Sequence, residues 1–429
     1  MVELLRAAVF HTPRNPFEVA DSALEVWSDG GLLIDGERIA AVGDFGVVRR
    51  AHPDVVVRDL RGGFLLPGFV DTHVHYPQVR VLGGLGFGLL DWLEQCALPE
   101  EARMADTVHA AAIAGIFLKE LAAHGTTTAL VFGAHYAPAM RILFDQALGT
   151  GQRIISGLVL CDRLLLPELH ISPDEAYRQS TDLIHSYHGK QGLAYAVTPR
   201  FALSVTEGML EVCQTLLREN PGIFFQTHMN ENRDEIAQVQ EQFPWAADYL
   251  AVYEKYNLVS SRAVLAHNVH SSEAQLRRLG NHGATVAHCP SSNAALGSGL
   301  FGMRQHVAAN VRVALGTDVG AGTGFGMLKE ALQAYLMQQL SPDGFPLTPA
   351  HLLYLATKAG ACALGLGNET GDLAAGHSAD FVYLRPREAS ALQAIVKQAD
   401  SEWHMLAALF TLSDAGCVRE TWVRGRKVA

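Results

Sequence analysis

The chain of 429 residues lacks any uninterrupted apolar run of about 18 residues, the length at which a helix can span a bilayer, so no membrane insertion is expected. Positive charge is scarce as well. Lys and Arg number 33 against 44 Asp and Glu, a net charge of −11, which removes the electrostatic case for nucleic acid or an anionic membrane surface as a partner. Cysteine is sparse: the six residues at positions 96, 161, 213, 289, 362 and 417 never fall three apart and show no framework spacing, as reduced thiols in the cytoplasm would. The opening Met-Val-Glu-Leu-Leu-Arg has an acid and no positive cluster ahead of an apolar core, so no export signal is expected. Nucleotide fingerprints are missing too. The Gly-rich run Val319-Gly-Ala-Gly-Thr-Gly-Phe-Gly326 fails G-x-G-x-x-G because Phe325 takes the last glycine position, and no P-loop Lys-Ser/Thr follows.

What is present makes a globular protein that takes a small molecule. Hydrophobic residues reach 49%, and the length calls for one large domain of roughly 250 residues or more plus a smaller one. Between about Pro67 and Leu366, short β-rich runs alternate with longer helical ones, the pattern of βα units around a parallel sheet. Eight strands are expected, near Phe69 to His75, Thr126 to Phe132, Ile154 to Leu160, Leu193 to Thr198, Ile223 to His228, Ala263 to His267, Thr285 to His288 and Val311 to Thr317. Helical stretches such as Asp106 to Ala123, Asp174 to His188 and Gly326 to Leu340 lie between them. The expectation is a (β/α)8 TIM-like barrel over residues 67–370, in the α/β class, with residues 1–66 and 371–429 joined in a small β-sandwich domain. The terminal segments show strand-like runs broken by Gly and Asp with little helical periodicity, including a hairpin around Asp35-Gly36. A Gly- and Leu-rich connection over residues 79–103 is either a long surface loop or a cover for the site.

Five polar residues, far apart in the chain, fall at or just beyond the C-terminal ends of expected strands, where barrel enzymes place their chemistry. They are His73 and His75 in Phe69-Val-Asp-Thr-His-Val-His75, His228, His267 ending Val264-Leu-Ala-His267, and Asp318 ending Val313-Ala-Leu-Gly-Thr-Asp318. Strand geometry sends both imidazoles of His-x-His to one face. One such histidine would be an ordinary structural residue, but the joint placement of nitrogen and oxygen donors points to one site for zinc or a similar divalent ion. A catalytic zinc keeps a position open, so not all five need ligate. Glu231, three residues after His228, can face the same site as a proton shuttle; its bland reading is a first-turn acid or a partner for Arg233. Asp318 has a bland reading as a cap of the Gly-rich turn. Cys289 beside His288 makes a poor nucleophile pair, because neighbours on a strand point to opposite faces. The H-x-E and P-C-x-x-C pair of the zinc deaminases that act on nucleic-acid bases is absent, which excludes that fold.

The chain resembles the metal-dependent amidohydrolase superfamily, whose barrels carry His-x-His after the first strand, His after the fifth and sixth, and Asp after the eighth. Within it the closer similarity is to members that deaminate guanine. It rests on Pro67-Gly-Phe-Val-Asp-Thr-His-Val-His-Tyr-Pro-Gln78, Leu89-Leu-Asp-Trp-Leu93, Thr198-Pro-Arg-Phe201, His228-Met-Asn-Glu-Asn-Arg-Asp234 and His288-Cys-Pro-Ser-Ser-Asn293, and spans nearly the whole chain. Met229-Asn230 stands where Ile-Ser is the commoner pair, at positions that are not ligands. The resemblance implies one zinc per chain, with iron(II) as the alternative, held by His73, His75, His228 and Asp318. It implies Glu231, His267 and Asp318 as catalytic residues: Glu231 relaying a proton to ring N3, Asp318 taking one from the attacking water, His267 stabilising charge as C2 becomes tetrahedral. A purine base would be bound by His75, Gln78, Arg200, Phe201, His228, Glu231 and Asp318, and the enzyme would be a homodimer. Without the resemblance, Gln78, Arg200 and Phe201 would read as loop, ion-pair and core residues. Two other readings stay open: a relative that deaminates another amino-heterocycle, such as 8-oxoguanine, a triazine or a modified adenosine, or a catalytically silent scaffold.

Overall fold

The computed structural model describes residues 2–429. Eight parallel strands form the barrel wall: β1 (Phe69–His75), β2 (Thr126–Phe132), β3 (Arg153–Gly157), β4 (Ala194–Pro199), β5 (Phe224–Met229), β6 (Ala263–His267), β7 (Thr285–His288) and β8 (Arg312–Leu315). They pair in chain order, with registers such as Thr128↔Arg153, Phe225↔Ala263 and Val286↔Val313. The last strand meets the first through Asp318 N–H donating to the His73 carbonyl and His75 N–H to the Val319 carbonyl, both at 2.8 Å. Asp71 reinforces that seam. Its carboxylate accepts from Thr317 N–H at 3.1 Å and from the Thr317 hydroxyl at 2.5 Å, and also from His73 N–H at 3.1 Å. The carboxyl is fully buried, and burial pushes its pKa up to about 7.

Val70, Leu130, Ile155, Ala196, Phe224, Val264 and Ala287, one from each of seven strands, cluster with Ala361 and Leu364 and fill the barrel interior below the site. The opposite faces of these strands, for example Phe69, Ala129, Val131 and Phe225, pack into the larger core with the outer helices. Those helices include α1 (Thr107–Ala123), α2 (Ala137–Thr150), α3 (Pro173–Tyr187), α4 (Glu207–Glu219), α5 (Glu273–His282) and α6 (Met327–Leu340). Side-chain caps set several of their starts, among them Asp106, Ser172, Thr206 and Ser272.

The chain ends meet in a seven-stranded sheet, in the spatial order 426–427, 418–423, 381–384, 57–67, 2–11, 25–35 and 38–44. All pairs are antiparallel except 2–11 with 57–67. The hairpin at Asp35-Gly36 is present, with Gly36 at φ +60° where a side chain would be strained. The sheet curls until its far edge returns: Ile39 N–H donates to His377 O and Ala379 N–H to Glu37 O, each at 2.9 Å. Leu5, Val9, Leu32, Ile34, Phe381 and Tyr383 form the core inside that curl.

The C-terminal segment departs from the expected β-only character. It contains helices Ala391–Gln398 and Glu402–Leu412. The second, Glu-Trp-His-Met-Leu-Ala-Ala-Leu-Phe-Thr-Leu, is apolar on most sides, so no polar face marks a 3.6-residue period. No helix among the described residues is long and apolar enough to cross a membrane.

Candidate active site

On β5 the alternation Phe224, Gln226, His228 faces inward, while Phe225 packs outward. On β1 the ladder shifts register between Asp71 and Val74, so Val70 and the pair His73 and His75 all face the interior although Val70 and His73 are three residues apart. Alternation on β6 puts Val264 and Ala266 inside and Leu265 outside, and would turn His267 outward. It faces the site because its backbone enters the left-handed region at φ +70°; Asp318 does the same at φ +48°.

Four of the expected ligands converge. The donor atoms of His73, His75, His228 and Asp318 all lie within 4.8 Å of one another, and all four residues are buried. Asp318 Oδ1 lies 3.3 Å from His73 Nε2 and 3.2 Å from His75 Nε2, and His75 Nε2 is 3.2 Å from His73 Nε2 and 3.3 Å from His228 Nε2. Nitrogens this close with no polar group between them suit a shared cation. His228 Nδ1–H donates to the Arg200 carbonyl at 2.6 Å, which leaves its Nε2 lone pair aimed at the centre. Burial lowers the pKa of His73 to about 4 and those of His75 and His228 below the ordinary value, so the imidazoles are neutral, the ligating form. Burial alone would raise Asp318, but hydrogen bonds with His73 and His75 hold it well below the carboxylate range. Three imidazoles and one carboxylate fit a divalent ion. A second group, His73, His267 and Cys289, is a poorer set: burial pushes the Cys289 thiol well above its usual pKa, and its Sγ turns to Ala287 O at 3.6 Å. His288 stacks on Phe301 with ring centroids 4.2 Å apart and does not activate Cys289.

Glu231 reaches the site from a loop, not from the first turn of a helix. The chain leaves β5 with Asn230 at φ +54°, and the next helix, Arg233–Gln242, starts only after Asn232 caps it. Glu235 closes that capping box and anchors the loop, accepting from Glu231 N–H at 3.1 Å and Asn232 N–H at 3.2 Å. Glu231 Oε2 then lies 3.4 Å from His267 Nε2, and its Oε1 accepts from Ser298 Oγ at 3.3 Å. Burial raises the Glu231 pKa to about 7. His267 Nδ1–H donates to Asn293 Oδ1 at 3.0 Å, leaving Nε2 toward Glu231 and, at 3.9 Å, toward Asp318 Oδ2. Burial would lower its pKa, yet the two carboxylates outweigh that and raise it.

Gln78, Arg200 and Phe201 line the same cavity as His75, His228, Glu231, His267 and Asp318. The connection after β1 folds into short helical turns, and its Leu89, Trp92 and Leu93 line the cavity.

Residues not singled out from sequence complete the site. Glu101, from the same covering segment, accepts from Gln78 Nε2 at 2.6 Å and Arg200 Nη1 at 2.6 and 2.7 Å. No local pattern marks it, since its partners Gln78, His135 and Arg200 are at least 23 residues away in sequence. Glu235 could have been found from its Asn232-x-x-Glu235 capping spacing, and Asn293 stood within a motif already quoted.

The family model described as Amidohydrolase family matches residues 64–428, and one for an imidazolonepropionase-like composite domain of bacteria matches residues 30–54. A probable guanine deaminase of Deinococcus radiodurans is 55% identical over 430 residues, 99% of this chain and 98% of that protein. Among solved structures, the E. coli guanine deaminase matches with a TM-score of 0.94 at 37% identity, covering 100% of this chain and 99% of the other. A guanine deaminase from Bradyrhizobium japonicum matches with a TM-score of 0.95 at 33% identity, with the same coverage.

Proposed function

The chain belongs to the amidohydrolase family, and from that premise we propose that it deaminates guanine by hydrolysis, leaving xanthine and releasing ammonia. One observation carries the reading: Gln78 and Arg200 line the same cavity as Glu231 and three members of the histidine and carboxylate donor cluster, His75, His228 and Asp318. The solved relatives named above are guanine deaminases and the Deinococcus radiodurans protein a probable one, and the polar groups of Gln78 and Arg200 suit the lactam edge of that base.

The donor set His73, His75, His228 and Asp318 fits one zinc per chain, and iron(II) takes the same nitrogen and oxygen ligands. Bound there, the ion supplies Lewis acidity that makes a water nucleophilic near neutral pH. Asp318 would accept, at Oδ2, the proton given up by the water that adds to C2. Glu231, with its pKa near 7, is matched to giving and taking protons at neutral pH: it gives one to ring N3, takes up that of the C2 hydroxyl and passes it to the departing amine, and is reprotonated by the proton that Asp318 took. His267 Nε2, between two carboxylates, stabilises the charge that develops as C2 becomes tetrahedral. Arg200 donates to O6, Gln78 pairs with the neighbouring lactam N–H, and the Phe201 ring packs on the base. His75, His228, Glu231 and Asp318 bound the reacting end of the cavity.

Ammonia release from guanine, 8-oxoguanine, adenosines, pterins and triazines by the zinc-loaded protein tests the assignment. Guanine should lead the panel; no turnover of guanine beside strong turnover of another base overturns it. Elemental analysis separates an enzyme from a scaffold, since the reading requires about one divalent ion per chain. We further propose a cytoplasmic homodimer, the first on the six unpaired cysteines and the second on the family resemblance. Light scattering at the mass of one chain would remove the dimer.

A further inference from the structure

Gln78 and Arg200 share one buried carboxylate behind them. Glu101 is 2% exposed, and its oxygens accept from Gln78 Nε2, from Arg200 Nη1 and, at 2.9 Å, from His135 Nε2. Cys161 Sγ sits 3.4 Å from the other ring nitrogen of that histidine. A carboxylate can only accept, and the Gly320 N–H, 3.0 Å from Gln78 Oε1, can only donate. The Gln78 amide therefore has a single orientation, Nε2 toward Glu101 and Oε1 toward Gly320, which fixes the second N–H and the second lone pair it presents to the cavity. Arg200 is held in the same grip. Burial would raise the Glu101 pKa, but Arg200 and His135 more than offset this, and the group stays ionised well below the carboxylate range.

We propose that Glu101 is the positioning residue that sets the charge of the base-recognition end, cancelling Arg200 while fixing Gln78, so that the cavity selects neutral lactams against anionic oxypurines. This rests on the reading of the cavity as a guanine site. With Glu101 in place, Arg200 acts as a directed hydrogen-bond donor without net charge; without it, a buried guanidinium would draw anions. Guanine is neutral at neutral pH. Xanthine carries an additional lactam N–H and ionises more readily, and urate is an anion. The Arg200–Glu101 pair, which carries no net charge, thus holds the substrate and does not retain the ionised product.

The test uses the zinc-loaded protein and two probes, hypoxanthine, which is neutral with the same lactam edge, and urate. Calorimetric Kd values for both are compared between wild type and Glu101→Gln at pH 7.5, together with kcat/KM for guanine. Glu101→Gln keeps the shape and removes the charge, so the urate-to-hypoxanthine preference should move toward urate by about tenfold or more while guanine kcat/KM falls by at least about tenfold. A packing role alone would weaken both probes together; an unchanged preference in folded Glu101→Gln overturns the proposal even where guanine turnover falls. Should that variant fail to fold, Arg200→Gln reads the opposite sign: urate must lose about tenfold more affinity than hypoxanthine, and equal losses overturn the proposal. Failure of wild type to deaminate guanine would instead remove the functional reading on which the proposal stands.

Discussion

Nδ1 of His228 donates to the carbonyl oxygen of Arg200 at 2.6 Å, so one residue orients a candidate metal ligand with its backbone while its own guanidinium faces the cavity. The two tasks are separable. Arg200→Met keeps the carbonyl, so bound metal should stay at the wild-type level. Guanine kcat/KM should fall by about 10–10², the loss expected when one charge-assisted hydrogen bond to the base, of about 1.5–3 kcal/mol, is removed. Elemental analysis and steady-state kinetics on one preparation check both halves. An unchanged guanine rate would make Arg200 a structural residue.

Glu231 stands outside the four-donor cluster, between Ser298 Oγ at 3.3 Å and His267 Nε2 at 3.4 Å. Glu231→Gln should therefore retain the ion and lose about 10²–10⁴ in kcat, the span of general acid–base catalysis. His73→Ala and Asp318→Ala should lose metal and turnover together, and a chelator should do the same to wild type, with activity returning on added zinc. Wild-type turnover by Glu231→Gln would strip it of the proton-transfer role.

How far the sequence could be read depended on whether the signal was local. Period-two alternation along β5 accounts for the inward face of His228, and the His-x-His pair needed only a strand. The inward turn of His267 comes from a left-handed backbone at the end of β6, which alternation cannot express. Glu231 lies in the site by way of Asn230 and the Asn232 cap, a loop path where a helical turn was the simpler expectation. Glu101 was illegible because its carboxylate gains meaning only when Gln78, His135 and Arg200 arrive from three other places in the chain. The helix Glu402–Leu412 was hidden by its uniform apolarity. Barrel closure rests on Asp71 and Thr317, 246 residues apart, although each sits in a motif that marked a strand end.

Acid should weaken the fold through a histidine remote from the chemistry. His306 is buried, its Nδ1–H donates to Gly302 O at 2.8 Å, and its ring packs on Phe301, which stacks in turn on His288. Burial lowers the His306 pKa to about 4 from an ordinary value of 6.5. The sign follows directly. Above pH 6.5 both folded and unfolded chains carry the neutral ring and stability does not depend on it; as pH falls from 6.5 toward 4 the unfolded chain takes up a proton that the folded one refuses. The folded state should lose up to roughly 3 kcal/mol over that window, from about 2.5 pKa units at 1.36 kcal/mol each. His288, lowered to about 3 by burial, acts in the same direction. His306→Gln keeps a donor for Gly302 and cannot titrate, so urea midpoints measured from pH 7 down to 4 should fall less steeply for the variant than for wild type. Parallel curves would show that the ring takes up its proton with the fold intact.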